Sequence, residues 1–357
     1  MSILKKISLL LFLAGVWFCG CVENPNDLGS AEMKGQMRYP RSGPGVLVVG
    51  DKVLVIGGYG AQRHAEFLGA NLKRSLPSQE SKAPHIRPHL HLLKSGNILI
   101  LDHLVSEIYD PDTHSFRYAG KNGRMIHSRS AFTSVSLPDG RVLILGGYFD
   151  TGENIQEVNS IEVYNPSSNS FEEVNVLQSS ILFEQHPILV GSEIYLITDE
   201  LQVLAYDYKA NTTKIVAELG FKRLRPKLIP SCELYEGKGQ NIDIICNEDG
   251  GGQLVFFAME RDKKKPVLEF EQKVLANQIF ISKAGGIYLV FLKKAKESSK
   301  NEVYSYSPGS KTLAFRGNLA DDFNLGASSI SLDNGSVVFI GGGDSSHSSK
   351  TFNVVRL

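Results

Sequence analysis

Residues 123–147 read GRMIHSRSAFTSVSLPDGRVLILGG, and residues 35–58 read GQMRYPRSGPGVLVVGDKVLVIGG. The two align with one extra residue in the turn. Each holds an Arg-Ser pair, an apolar stretch, a Gly-containing turn, a second apolar stretch and a closing di-glycine. A third copy, LGASSISLDNGSVVFIGGG, occupies residues 325–343. Short apolar runs bounded by turn residues predict strands, so each copy reads as a hairpin. Weaker copies lie between them. HLHLLKSGNILILDH (89–103) has Asp102-His103 where the others have di-glycine. ILVGSEIYLITDE (188–200), NIDIICNE (241–248) and GGIYLVFL (285–292) keep only the hairpin. The first di-glycine position, or its equivalent, falls at 57, 102, 146, 198, 246, 291 and 341. A spacing this even over the chain predicts one repeat domain rather than two domains.

The second half of each unit repeats as well. EIYDPDTHSF (107–116) matches EVYNPSSNSF (162–171), and Tyr306 precedes Pro308 and Leu313 at the same spacings. LAYDYKANTTKI (204–215) is a looser version. An apolar–Tyr strand, an Asx/Pro turn and a Phe strand make a second hairpin. Each unit thus supplies four short antiparallel strands.

These units resemble kelch repeats, in which an apolar strand ends in di-glycine and is followed by a Tyr and a further aromatic. The resemblance implies an all-β fold, a seven-bladed kelch-type β-propeller of four-stranded blades. It covers residues 31–357, with Phe116 and Phe171 where the family usually has Trp; the one Trp is Trp17. Residues 351–357 read as a third strand, and residues 31–37 occupy the place of a fourth. The last blade is therefore expected to be closed by the N-terminal strand, which hides two sheet edges. Six blades is the alternative, because residues 60–86 make a poor second hairpin.

Residues 1–20 carry Lys5-Lys6 and then a twelve-residue apolar run, Ile7 to Phe18. A membrane span needs about 20 apolar residues, so the pattern is that of an export signal. Gly20-Cys21 resembles the lipobox of bacterial lipoproteins, with Phe18 where that motif usually has an aliphatic residue. The resemblance implies lipidation at Cys21, a tether over residues 21–30 and attachment to a bacterial membrane, with the outer membrane or cell surface as the expected location. The alternative is an ordinary cleaved signal.

Lys+Arg and Asp+Glu are equal at 38 each. Removing residues 1–20 takes away two lysines and leaves a net charge of −2. Neither value provides the basic surplus of a nucleic-acid binder. The expected partners are a protein or carbohydrate ligand and, through the lipid, a membrane. A monomer is expected.

Export leads to an oxidising compartment. Cys232 and Cys246 flank a turn-like stretch; a hairpin centred on Gly239 makes them cross-strand partners within disulfide reach. Two buried thiols are the alternative. Propeller sites sit at the channel mouth, and the arginines placed there are Arg41, Arg87, Arg129 and Arg225. They could hold an anionic group by their planar donor forks, or serve structurally between blades. His89 and His91 share a strand face. With His103 across the hairpin they could chelate zinc or copper, but His85, His89, His91 and His103 are equally explained as polar residues lining a wet channel. No metal or cofactor is expected.

The kelch propeller is also the central domain of galactose oxidase. Its copper-radical site needs a Cys-crosslinked Tyr, a second Tyr and two His, one from a further domain. No cysteine here sits in a matching motif, and residue 357 falls inside the last blade, so oxidase chemistry is not expected. No Ser-His-Asp signature, phosphate loop or paired-carboxylate motif is present. The leading expectation is a non-catalytic binding module, and the alternative is a carbohydrate-active enzyme such as a sugar mutarotase.

Overall fold

The computed structural model describes residues 33–69, 75–182, 185–220, 231–236, 241–247, 254–260, 266–272, 278–281, 287–291, 301–307, 310, 312–319, 326–343 and 348–355. Among these, seven four-stranded antiparallel sheets follow one another along the chain, and an additional two-stranded hairpin pairs Tyr148–Asp150 with Ile155–Glu157.

The first sheet comprises Gly45–Val49, Lys52–Ile56, His64–Leu68 and Ser75–Glu80. The second comprises His89–Leu92, Ile98–Leu101, Glu107–Asp110 and Ser115–Tyr118. Thr133–Ser136, Val142–Leu145, Ser160–Asn165 and Ser170–Val176 form the third. The fourth runs from Ile188–Val190 to Thr212–Glu218. The fifth and sixth units, weak in sequence, also have four paired strands each, from Ser231–Glu236 to Pro266–Gln272 and from Gln278–Ile281 to Thr312–Asn318. The seventh sheet joins Ser328–Ser331, Val337–Ile340 and Ser349–Val355 to the N-terminal strand Met33–Arg41.

Why the second strands are apolar throughout is visible in their packing. Side chains alternate between the two faces of a strand, and here both faces are covered. Leu54 and Ile56 pack with Ile98 and Ile100 of the second sheet, whereas Val53 and Val55 pack with Val338 and Ile340 of the seventh. Leu99 and Leu101 meet Val142 and Ile144; Leu143 and Leu145 meet Ile194 and Leu196; Tyr195 and Ile197 meet Ile242 and Ile244. Phe256 stacks on Tyr306 at 3.9 Å between the fifth and sixth sheets, and Val303 joins Val337 and Phe339 between the sixth and seventh. Each sheet therefore packs on two neighbours and the ring closes. First strands of neighbouring sheets adjoin, which places them around the axis. The fold is a β-propeller.

The repeated Tyr has a second task. Tyr109, Tyr164 and Tyr206 are buried, and their hydroxyls bond the residue five positions on: His114 at 2.9 Å, Asn169 at 2.8 Å and Asn211 at 2.9 Å. A buried Tyr needs such a partner. Those partners sit at φ of 53°, 48° and 55°, a left-handed turn that Asn and His tolerate. Phe116 and Phe171 fill the volume beside Tyr109 and Tyr164, at centroid distances of 4.6 and 5.0 Å.

The last sheet is closed by the N-terminal strand, as expected from its place before the first repeat. Met33 pairs Val354, Gly35 pairs Phe352 and Gln36 pairs Thr351. Phe352 is fully buried, and its ring occupies the space that a Cβ on Gly35 would need.

Candidate functional site: a polar channel mouth

Around the axis lies a cavity of about 1040 Å³, walled by first strands and the loops that enter them. Its charged and aromatic lining includes Arg87, Asp102, His103, His186, Glu233 and Tyr148.

Two of the four arginines expected at this mouth are not available to it. Arg41 is fully buried: its guanidinium donates to the carbonyls of Gly57 (2.8 Å) and His64 (3.1 Å) and pairs with Glu66 at 2.5 Å. Arg129 repeats this arrangement with the carbonyls of Gly146 (3.0 Å) and Ser160 (2.8 Å) and with Glu162. Burial pulls both guanidiniums below their ordinary pKa, and the adjacent glutamates oppose that shift. Each arginine thus ties the end of a second strand to the third strand that follows it, Arg129 within the third sheet and Arg41 from the closing strand of the seventh sheet into the first. Arg225 and Cys21 lie outside the described residues, as do residues 1–20 and 22–30.

Arg87 is different. It is exposed, lines the cavity, and adopts φ 56°. The same place holds Gly43 at φ 62° in the first repeat and Ala131 at φ 48° in the third. A left-handed conformation costs a side-chain-bearing residue about 1–2 kcal/mol, and here it carries an arginine at the mouth.

The three histidines considered as candidate metal ligands, His89, His91 and His103, are not brought together by the strand register. Strand register sets His89 opposite Leu101 and His91 opposite Leu99, so His103 is not across from either. His89 reaches Ser134 at 2.9 Å, and His91 bonds Ser134 at 2.8 Å and Ser136 at 2.9 Å. These are ties between the first strands of the second and third sheets. Burial, with a contribution from neighbouring His89, pushes the His91 pKa down to about 3, so that ring is neutral. Among the described residues no group of three or more His, Cys, Asp or Glu side chains is placed to hold a metal.

His103 instead belongs to a chain of titratable groups running into the second sheet. Its Nδ1 lies 2.6 Å from Asp102 Oδ1. Asp102 Oδ2 accepts from the Ile86 amide at 2.6 Å and lies 3.3 Å from His85 Nδ1, a charge contact rather than a well-formed hydrogen bond. His85 Nε2 meets Glu107 at 2.8 Å. Glu107 also accepts the amides of Lys82 and Ala83. His85 and Glu107 are fully buried, whereas His103 is one-third exposed. Burial alone would lower the His85 pKa, but its close contacts with Asp102 and Glu107 overcome it and raise the value. Burial likewise works to raise Asp102, and the two histidines prevail to lower it. His85 accordingly sits between two carboxylates that favour its protonated form.

Asp102, His85 and Glu107 were not singled out together by sequence reasoning. Signals existed: Asp102-His103 replaces a di-glycine, and Glu107 and Glu162 both stand two residues before the repeated Tyr. Further along the mouth, His186 pairs with Glu233 at 3.0 Å. Cys232, also in the lining, is the register partner of Cys246, and their sulfurs are bonded with the Cα atoms 4.1 Å apart.

Residues 129–175 match the Kelch motif family, a span that runs from Arg129 through the third sheet. No curated protein matches the chain in sequence. Among solved structures, it is similar to a fungal alcohol oxidase described as having catalytic diversity among the AA5 family and solved in complex with copper. The TM-score is 0.65 at 12% identity, over 90% of this chain and 75% of that one. At that identity the likeness concerns the fold alone. The chain is therefore a β-propeller that carries a kelch motif in its third sheet and shares its fold with a fungal alcohol oxidase.

Proposed function

We propose that this chain is a lipid-anchored envelope protein whose propeller binds a hydroxyl-rich ligand, a glycan, at the channel mouth. The observation that carries the reading is the cavity of about 1040 Å³ in which Arg87, Asp102-His103, His186-Glu233 and the rings of Tyr59 and Tyr148 come together. A concave site with a few convergent polar groups is the usual form of a small-molecule pocket. Tyrosine rings offer apolar faces with a polar tip, and arginine suits an anionic substituent. The anchor is supported by the sequence of residues 1–21, and an exported location agrees with the Cys232–Cys246 bond.

A glycan-array screen on the purified protein, repeated with Arg87→Ala, tests the ligand. Binding that is lost in the variant supports the proposal; no retained glycan, or equal retention by both proteins, overturns it. Palmitate labelling of wild type against Cys21→Ala tests the anchor. A second reading, a carbohydrate-active enzyme using the same mouth, is favoured by the Glu107–His85–Asp102–His103 chain.

A further inference from the structure

The third repeat carries an element that no other repeat shows among the described residues. Where the other sheets pass from second strand to third by a loop, this one forms the two-stranded hairpin of Tyr148–Asp150 and Ile155–Glu157. The interval between repeat markers is longest here, from 146 to 198. The hairpin rises at the mouth end of its sheet, since Tyr148 lines the cavity and its backbone is bonded to that of Ser130.

One edge of this hairpin is open. Along an antiparallel pair, opposed residues alternate between bonding each other and turning their amides and carbonyls outward. At the two ends of the hairpin, the Val158 amide donates to the Gly147 carbonyl at 2.9 Å and the Thr151 amide to the Asn154 carbonyl at 3.0 Å. Phe149 and Gln156 are therefore the bonded pair between them, and Tyr148, Asp150, Ile155 and Glu157 turn their backbone groups outward. Tyr148 uses its groups on Ser130. Beside Ile155 and Glu157 no further strand is paired among the described residues. The same edge is apolar and acidic. Ile155 is 68% exposed, and Asp150, Glu153 and Glu157 are exposed as well. Glu157 accepts from the Ser180 hydroxyl at 2.5 Å and Asp150 from the Gly152 amide at 2.8 Å, but none of the three carboxylates meets a cation among the described residues. No Lys or Arg occurs between Arg141 and Lys209, a stretch that holds eleven Asp and Glu.

We infer that the outer edge of Ile155–Glu157 docks an extended basic segment of a partner protein, which adds to the hairpin as a third strand. The inference goes beyond the glycan reading and uses a different surface. An unpaired edge with an exposed apolar side chain is a template for another strand, and strand addition is a common mode of peptide recognition. Ile155 and Glu157 together offer two outward amides and two outward carbonyls. Residues two apart on a strand share a face, so the partner places an apolar side chain opposite Ile155 and a Lys or Arg opposite Glu157. Cross-strand pairs of these kinds stabilise a sheet. Recognition thus calls for apolar and basic residues alternating at every second position. The charge also argues against a lipid surface as the occupant, because anionic leaflets attract basic segments and repel an acidic one.

The test uses the purified full-length protein and a fluorescent peptide, Val-Thr-Lys-Thr-Val-Thr-Lys-Thr-Val, which reads alike in both directions. Its counterpart has Glu in place of Lys. Anisotropy should show binding of the Lys peptide, weakened by added salt, and none of the Glu peptide. Glu157→Lys and Ile155→Glu should each weaken binding of the Lys peptide several-fold. Glu157→Pro should also weaken it while thermal unfolding stays near wild type, because that amide points away from its own hairpin and a free edge admits proline. Should the proline variant fail to fold, the other two, both at exposed side chains, carry the test. Equal binding of the two peptides, no binding of the Lys peptide, or undiminished binding by Glu157→Lys and Ile155→Glu overturns the proposal. Retention on phosphatidylglycerol vesicles that Ile155→Glu abolishes would make the hairpin a membrane contact, and overturns it too.

Discussion

Arg41, His85, Arg129 and Gln185 occupy one place in four successive repeats, just before the first strand, and all are buried. The first three pair with Glu66, Glu107 and Glu162 on the third strands of their sheets. Gln185 does comparable work with backbone groups alone, bonding the carbonyls of Leu182 and Ile197 and accepting the Ile197 amide. The place therefore demands a long polar side chain, and its chemistry varies with what faces it. Removing one member of a buried pair leaves an uncompensated charge, which costs about 3–5 kcal/mol. Arg129→Met should lose that much in urea unfolding. A loss under about 1 kcal/mol would show that Glu162 is adequately served by the Ile126 and His127 amides it already accepts. Arg87→Gly should behave in the opposite way: it relieves a left-handed backbone and gains up to about 1 kcal/mol, while glycan binding falls. Stability gained with function lost is the usual pattern for a strained site.

His85 also makes stability depend on pH. Its pKa is raised above the ordinary 6.5, so its contribution is complete below that value and fades as pH rises through the folded-state value. Asp102 is lowered from 3.8, so its contribution is complete above that value and fades as pH falls through its folded-state value. The gap in Tm between wild type and His85→Gln should therefore be widest between about pH 4 and 6.5 and should narrow on the alkaline side. A gap that grows above pH 7 would contradict the raised His85 pKa.

At the level of strands, the repeat was readable because its determinants are local: apolar runs, turn residues, di-glycines and the Tyr of the third strand. The same reading placed the N-terminal strand in the last sheet, where Gly35 now explains the fit. Because Phe352 is fully buried and lies over Gly35, it has nowhere to move. Gly35→Val should cost about 1–3 kcal/mol by overpacking. Thermal unfolding unchanged in that variant would show that the closing strand yields easily. The cysteine register was legible from turn symmetry alone, since Cys232 and Cys246 are paired across the hairpin. Reduction of a bond that closes a loop with a sequence separation of 14 should cost about 3 kcal/mol, measured as a lower urea midpoint in reducing buffer. The site was less legible. Arg41 and Arg129 were candidates because they precede first strands, where a propeller's mouth lies, and their buried pairing with backbone carbonyls and glutamates matches the structural role left open beside the functional one. What sets Arg87 and His103 apart is that each breaks its repeat, an arginine at the position of Gly43 and a histidine at the position of Gly58.

For the whole molecule, every adjacent pair of sheets shares apolar or aromatic packing. Unfolding should therefore be one transition, with far-UV dichroism and tyrosine fluorescence coinciding; separated midpoints would show that part of the ring melts alone. The paired strands Met33–Arg41 and Ser349–Val355 stand about 320 residues apart in the chain. A chain that emerges N-terminus first must therefore hold its opening strand unmated until nearly all the rest has arrived. Such distant pairing is slow to form. Until then that strand is an open β edge in search of a partner, and closing the ring late is what removes it from competition with neighbouring chains.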